Sequence, residues 1–305
     1  MIKSILKIGW WAEFHTMRLS RKGIGMIGKI FFRIVKFLCI AFIQFICFIQ
    51  YKLLKIDPQP LSYEKERPIV SLTTFPDRVH SVWLVLLSMF YQTYRPSKIL
   101  LILTQEEFPE GKSSLPDSVR RMEKLGVEII FQPFNLRPHN KYYYALSHVK
   151  DQNVITIDDD LFYWSNTIEL LMNMHRKCPT CICANKALRI INNNKEIFYD
   201  VPLPNSMGHS LMAQGVCGIL YPSVCYRSEM FDKDKITSLC LGNDDNWLKI
   251  QEILAGIKVI TGEYYPHPLV IMKSQRIALW HKNISGKSLM ITKQLLKHYE
   301  IDIKE

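Results

Sequence analysis

Residues 154–160 read Val-Ile-Thr-Ile-Asp-Asp-Asp, a short β-branched run that ends in three consecutive carboxylates. Such a run, bounded by polar residues, suits a strand buried on both faces. Three adjacent carboxylates repel one another unless a cation or solvent separates them, so their position at the end of a buried strand calls for a chemical reason. Working outward, the pattern repeats. Ile69–Thr73, Ile99–Leu103 and Val127–Phe131 are further short apolar runs. Between them the spacing predicts helices over Val79–Gln92, over a segment opened by Pro116 and closed by Gly126, and over Tyr142–Val149. Apolar strands alternating with helices predict an α/β fold, an open and mostly parallel sheet with helices on both faces. Ligands of such sheets bind beyond the carboxyl ends of the strands, which is where Asp158, Asp159 and Asp160 stand.

Composition narrows the classes. The 305 residues are 48% hydrophobic and 22% charged, with 13 glycines and 15 prolines, which excludes a disordered, collagen-like or low-complexity chain. The net charge of +11 is unevenly spread, since residues 1–60 hold ten Lys and Arg against only Glu13 and Asp57. The rest of the chain is nearly balanced, so nucleic acid is not an expected partner.

Within that basic segment, Phe37–Ile49 is apolar apart from Gln44. On a helix, Lys29, Arg33, Lys36, Gln44, Tyr51 and Lys55 fall along one stripe, opposite a face of Phe, Ile and Leu. This predicts a hydrophobic, basic N-terminal helix lying in a membrane surface with its cations towards anionic headgroups; a single membrane crossing and a long helix buried in a soluble core are the competing readings. A cleaved signal peptide is not expected, because the apolar run starts far in and no small-residue cleavage site follows. Asp57-Pro-Gln-Pro60 ends the helix, dividing the chain into a membrane-associating segment, 1–60, and the α/β domain, 61–305. Of eight cysteines, Cys178 and Cys181 have the spacing of a metal or redox pair, but no second pair stands at zinc-site distance. The reading is structural thiols in a reducing compartment.

Several strand ends and helix starts carry chemistry. Asp158 and Asp160, two apart, can turn towards one Mg²⁺ or Mn²⁺, whose remaining ligands would be phosphate oxygens and water; a solvated acidic turn before a helix near Ser165 is the alternative. Thr73-Thr74-Phe75-Pro76-Asp77-Arg78 can cradle a nucleotide or cap the following helix, and Lys141 can neutralise a phosphate or simply be exposed. Gly215–Pro222 reads as an apolar strand whose small residues admit a ligand or another backbone. Asn243 is a good N-cap for a helix running to Leu254, with Asp244 and Asp245 in its first turn; a carboxylate there can also accept a proton from a hydroxyl nucleophile. His281 is a candidate third metal ligand or a surface histidine.

Taken in order, VSLTTFPDRV (70–79), SMFYQTYRPSKILLILTQEEFP (88–109), NKYYYAL (140–146), VITIDDDLFY (154–163), GVCGILYP (215–222) and NDDNWL (243–248) resemble bacterial nucleotide-sugar glycosyltransferases of the GT-A fold. The likeness is to membrane-associated enzymes of cell-surface polysaccharide assembly, and it covers roughly Ile69–Ile260. It implies that Asp158 and Asp160 are the metal-binding DxD pair and that Asp159 lies beside the ribose or diphosphate. It further implies that Thr73, Thr74, Pro76 and Arg78 form the nucleotide-contacting loop, that Lys141 is a donor-site lysine, and that Asp244 and Asp245 are the acidic pair containing the base. Asn246, where an apolar residue is commoner, and Ser223, where a second proline is frequent, depart from the pattern on the acceptor side. The function implied is metal-dependent, inverting transfer of a sugar from a nucleotide-diphosphate donor to a lipid-linked or polysaccharide acceptor, on the cytoplasmic face of the bacterial inner membrane. Two rivals remain. A nucleotidyl- or phosphoryltransferase would more often show a Gly-rich phosphate loop, and a membrane-tethered, non-catalytic saccharide-binding protein would leave the acidic clusters without a joint purpose.

Overall fold

The computed structural model describes residues 2–20, 26–192, 196–223, 227–271 and 286–303. Two helices, α1 (Ile2–Ser20) and α2 (Met26–Cys47), open the chain, and a wider helical turn, Phe48–Leu53, prolongs the second. The body follows as β1 (Ile69–Thr73), α3 (Pro76–Val79), α4 (Val82–Phe90), β2 (Lys98–Thr104), α5 (Asp117–Arg120), β3 (Val127–Gln132), α6 (Asn140–His148) and β4 (Val154–Thr156). Next come β5 (Leu161–Phe162), α7 (Thr167–Lys177), β6 (Ile182–Ala184), β7 (Ala187–Asn192), β8 (Ile197–Asp200), β9 (Met207–Gly208), β10 (Leu211–Ala213) and β11 (Ile219–Tyr221). The chain closes with α8 (Lys233–Lys235), α9 (Asp244–Leu254), β12 (Val259–Thr261), β13 (Leu269–Val270) and α10 (Lys287–His298).

The main sheet has the order β3-β2-β1-β4-β11-β6-β12-β9. Its first four strands are parallel, as the alternating pattern predicts, and β12 is parallel to β6. Strand β11 runs antiparallel between β4 and β6, so the sheet is mixed across its middle. The segment expected as one strand, Gly215–Pro222, is a tight turn at Gly215–Cys217 followed by β11. Gly218, at φ +88°, separates the two; that backbone conformation is costly for any residue with a Cβ. The helix expected over Val79–Gln92 is likewise split, into α3 and α4. Gly126, at φ +99°, closes the turn before β3, and a Cβ there would come within 2.9 Å of Leu61.

Side chains alternate between two cores. Val70, Leu72, Ile99, Leu101 and Leu103 face one core with α2, α4 and α7, while Ile69, Leu100 and Ile102 face the other with α6, α9 and α10. Burial on both faces is what made each strand read as a continuous apolar run.

The N-terminal helices pack against the body. Leu6, Ile40, Ile43, Ile46 and Tyr51 join the first core, and Gly9 lies so close to Trp164 that a Cβ would sit 3.1 Å from its ring. The polar stripe of α2 differs in part from the expectation. Lys36 pairs with Glu13 at 2.9 Å, Gln44 donates to the Val270 carbonyl, and Tyr51 donates to that of Ser118, so these members turn towards protein, where their polar tips find partners. Arg33 and Lys55 remain exposed. Ile34, Phe37, Leu38, Phe42, Phe45 and Phe48 point outward, with Phe45 60% exposed. The cysteine reading is also corrected: Cys178 and Cys181 are joined by a disulfide, which the short loop after α7 permits with its Cα atoms 5.4 Å apart. Cys39, Cys47, Cys183, Cys217 and Cys240 are free and buried.

Candidate functional site

The carboxyl ends of β1 and β4, the start of α6, the Gly215–Cys217 turn and the start of α9 converge on one rim of the sheet. Strand β4 delivers Asp158, Asp159 and Asp160 there, and the Asp158 backbone N–H donates to the hydroxyl of buried Tyr163 at 2.8 Å. The three carboxylates then diverge. Asp159 is buried, accepting from Arg78 Nη1 at 2.6 Å and from Thr74 Oγ1 at 2.6 Å. Arg78 also reaches Asp160, at 3.2 Å. Asp158 turns the other way and pairs with Lys141 Nζ at 2.7 Å.

Lys141 lies on the first turn of α6, only 5% exposed. Its ammonium bridges Asp158 and Asp244, the latter at 2.9 Å, and those charges hold its pKa well above the ordinary lysine value against the opposing effect of burial. Asn243 caps α9 by accepting from the Asn246 N–H, as its sequence position predicts, and this cap orients Asp244 and Asp245. Asp245 accepts from the Gly215 N–H at 3.1 and 3.3 Å. Burial, then the charge of Asp244, raises the Asp245 carboxyl well above the usual carboxylate range. Asp160 is raised to about 7 by burial and the charge of Asp158, with Arg78 opposing.

Gly215 approaches the charged tips closely. A Cβ there would lie 3.1 Å from Lys141 Nζ, 3.3 Å from Asp245 Oδ1 and 3.5 Å from Asp158 Oδ1. The turn therefore brings bare backbone into a cluster of charged tips, which is the use of glycine where main chain must approach closely. Sequence flagged Gly215 only as a small residue in a strand, and Tyr163 carried no signal beyond its place in an apolar run.

Other predicted positions fall at the same rim. The Thr73 hydroxyl donates to the Ile102 carbonyl, and Pro76 is the first residue of α3. Thr74 and Arg78 have partners within the acidic cluster rather than open space. His281 lies outside the described residues.

Among the described residues, no three His, Cys, Asp or Glu side chains converge as a preformed metal cage. The donor set nonetheless fits a hard divalent cation. Among the described residues, Arg78 and Lys141 are the cations paired with Asp158, Asp159, Asp160 and Asp244, and burial followed by the charge of Asp158 raises Asp160. Mg²⁺ and Mn²⁺ are commonly held by one or two carboxylates together with substrate phosphates rather than by an all-protein cage.

No protein-family model matches the chain, and no curated protein matches it in sequence. Among solved structures it is similar to the 4-diphosphocytidyl-2C-methyl-D-erythritol synthase of Anaerococcus prevotii, at 13% identity and TM-score 0.42, covering 72% of this chain and 100% of that one. It is similar to residues 1–349 of TarS from S. aureus, at 12% identity and TM-score 0.42, covering 65% of this chain and 59% of that one. It is also similar to the mannosyltransferase PcManGT from Pyrobaculum calidifontis, solved with GDP-Man and Mn²⁺, at 10% identity and TM-score 0.48, covering 100% of this chain and 77% of that one.

Proposed function

We propose that the chain is a divalent-metal-dependent glycosyltransferase that moves a sugar from a nucleotide-diphosphate donor to a hydroxyl of a lipid-linked or polysaccharide acceptor. The observation that carries this reading is the pairing, on one rim, of two differently held acidic groups: Asp158 and Asp160 at a strand end, and Asp244 and Asp245 on a rigid helix start. Asp158 and Asp160 would hold the cation. When bound, the metal would offset charge developing on the departing diphosphate.

The remaining roles belong to the chain's own residues. Arg78 and Thr74 fix Asp159 and so set the backbone that presents Asp158 and Asp160. Lys141 holds Asp244 in place and ties it to Asp158. Asp245 is the proton acceptor, because burial and the charge of Asp244 raise its proton affinity while Asp244 itself is engaged with Lys141. The Gly215 N–H aims that carboxylate. Deprotonating the acceptor hydroxyl allows direct displacement at the sugar carbon, with inversion.

The N-terminal helices support attachment to a membrane surface. Residues Arg33–Leu53 have a mean hydropathy of 2.0 over 21 residues, and their outward face is a row of Phe, Ile and Leu. The opposite face is packed on the body, through Ile40, Ile43, Ile46 and Cys47, which favours a helix lying in the interface over one surrounded by lipid.

Incubation with nucleotide sugars and Mn²⁺ tests the reaction. Release of a nucleoside diphosphate that falls at least about a hundredfold in Asp245→Asn and Asp158→Ala supports it, by the scale of losses seen when charge-stabilising groups are removed. Release of pyrophosphate from a nucleoside triphosphate would replace it with nucleotidyl transfer, and no turnover with unchanged saccharide binding would replace it with the binding-protein reading.

A further inference from the structure

Beyond the acidic cluster, the same rim holds a cavity of about 310 Å³. It opens beyond the carboxyl ends of β6 and β12, and the antiparallel β11 begins beside it, so it shares an edge with the carboxyl end of β4. The Gly215–Cys217 turn connects the two places directly: Gly215 holds Asp245, and Cys217 lines the cavity. Asn185, another lining residue, fixes that turn by donating to the Cys217 carbonyl at 3.0 Å.

The lining exposes more apolar than polar surface, with Leu188, Val201, Pro202, Leu203, Tyr264 and Tyr265 on its apolar part. Hydroxyl groups placed against that part would lose water without regaining hydrogen bonds. Val201 and Leu203 also stand out at 62% and 76% exposed, an uncovered apolar lip. Lys186 and Glu263, both exposed, line the cavity and supply a cation and a carboxylate.

The N-terminal helices approach the cavity at His267. Trp164, on which Gly9 of α1 rests, donates its indole N–H to the carbonyls of Pro266 and His267 at 3.0 and 3.2 Å. His267 is itself a lining residue. The cavity wall is therefore braced on α1, which packs against α2 and its outward apolar face.

We propose that this cavity seats the single apolar chain of a lipid-linked acceptor, with Lys186 at an anionic link between chain and sugar. The proposal rests on the glycosyltransferase reading and selects the lipid-linked acceptor over the polysaccharide. A saccharide acceptor would then be presented to Asp245 from the membrane side, its chain buried and its hydroxyl free.

The test is photolabelling of the full chain in nanodiscs with an eight-carbon alkyl phosphate that carries a diazirine on the chain, mapped by peptide mass spectrometry. Adducts at Leu188, Val201, Leu203 or Tyr264 that excess octyl phosphate suppresses at least tenfold, and glycerol phosphate does not, support the proposal. The exposed lip allows Val201→Asp and Leu203→Asp without unfolding; labelling should fall at least tenfold in the double variant and severalfold in Lys186→Gln. Undiminished labelling in the double variant, or adducts confined to Phe37, Phe45 and their neighbours, overturns it. Nucleotide-dependent thermal stabilisation is read on the same samples. Its loss throughout, with cavity labelling intact, refutes the glycosyltransferase reading and not the apolar-chain site; its persistence with labelling lost from the parent protein refutes the site alone.

Discussion

Replacing Arg78 by methionine separates a structural arginine from a ligand-binding one. Its side chain is 7% exposed, and it pairs with Asp159, itself 8% exposed, at 2.6 Å and with Asp160 at 3.2 Å. Removing one partner of a buried pair strands the other charge, at a cost of about 3–5 kcal/mol. For a domain of this size each kcal/mol moves the melting midpoint by roughly 2–4 °C, so Arg78→Met should lower it by about 6–20 °C. The loss has a pH signature. Burial already raises the Asp159 carboxyl, with Arg78 opposing; without Arg78 it rises further and the protonated form becomes the folded one. Stability lost at neutral pH is then regained as the pH falls through that raised value, so parent and variant converge in acid. The double variant Arg78→Met, Asp159→Asn should recover about half the deficit. Calorimetric melting across pH reads all of this. A midpoint within about 1 °C of the parent, together with weakened nucleotide binding, would refute the clamp and make Arg78 a free donor ligand.

Gly215→Ala should reduce turnover by about 10–100-fold, because its methyl group displaces Lys141 and Asp245 by tenths of an ångström in a site where geometry governs rate; donor binding and melting midpoint report whether the loss is local. Lys249 and Glu252, buried together on α9 at 3.1 Å, are each pushed towards neutrality by burial. Lys249→Met or Glu252→Leu alone should cost about 3–5 kcal/mol in denaturant unfolding, and the two together much less. Because Asp160 titrates at about 7, cation binding there must displace a proton at lower pH. Mn²⁺ affinity should climb between about pH 4 and about 7 and then level off, with calorimetry in two buffers reading the released proton. In the metal-free protein the same raised carboxyl stabilises the fold below about pH 4, and that contribution is lost as the pH passes about 7.

The parallel half of the sheet was legible because each strand is buried on both faces and each helix between them carries its own start or stop. Asn243 announced α9 by a local hydrogen bond, and the acidic triplet stood out because such charge is costly at a buried strand end. What sequence does not encode locally was harder to read. The bridge from Lys141 to Asp158 and Asp244 joins three segments distant in the chain, and the clamp of Arg78 on Asp159 depends on β1 and β4 being neighbours. The stripe on α2 was legible only in part for a similar reason. Its amphipathic pattern fixes which residues share a face, but only the partners Glu13, Val270 and Ser118 decide that Lys36, Gln44 and Tyr51 turn inward while Arg33 and Lys55 stay exposed. Nothing in the spacing of Cys178 and Cys181 distinguishes a disulfide from a pair of thiols.

Thermal unfolding of the detergent-purified protein with UDP, GDP, CMP or dTDP, each with and without Mn²⁺, tests the central claim most directly. The account predicts that one nucleotide raises the midpoint by several degrees only when Mn²⁺ is present, the equivalent of about 2–3 kcal/mol at a hundredfold excess over its dissociation constant, and that Asp158→Ala abolishes the shift. A folded sample that no nucleotide stabilises, with or without the metal, would contradict it.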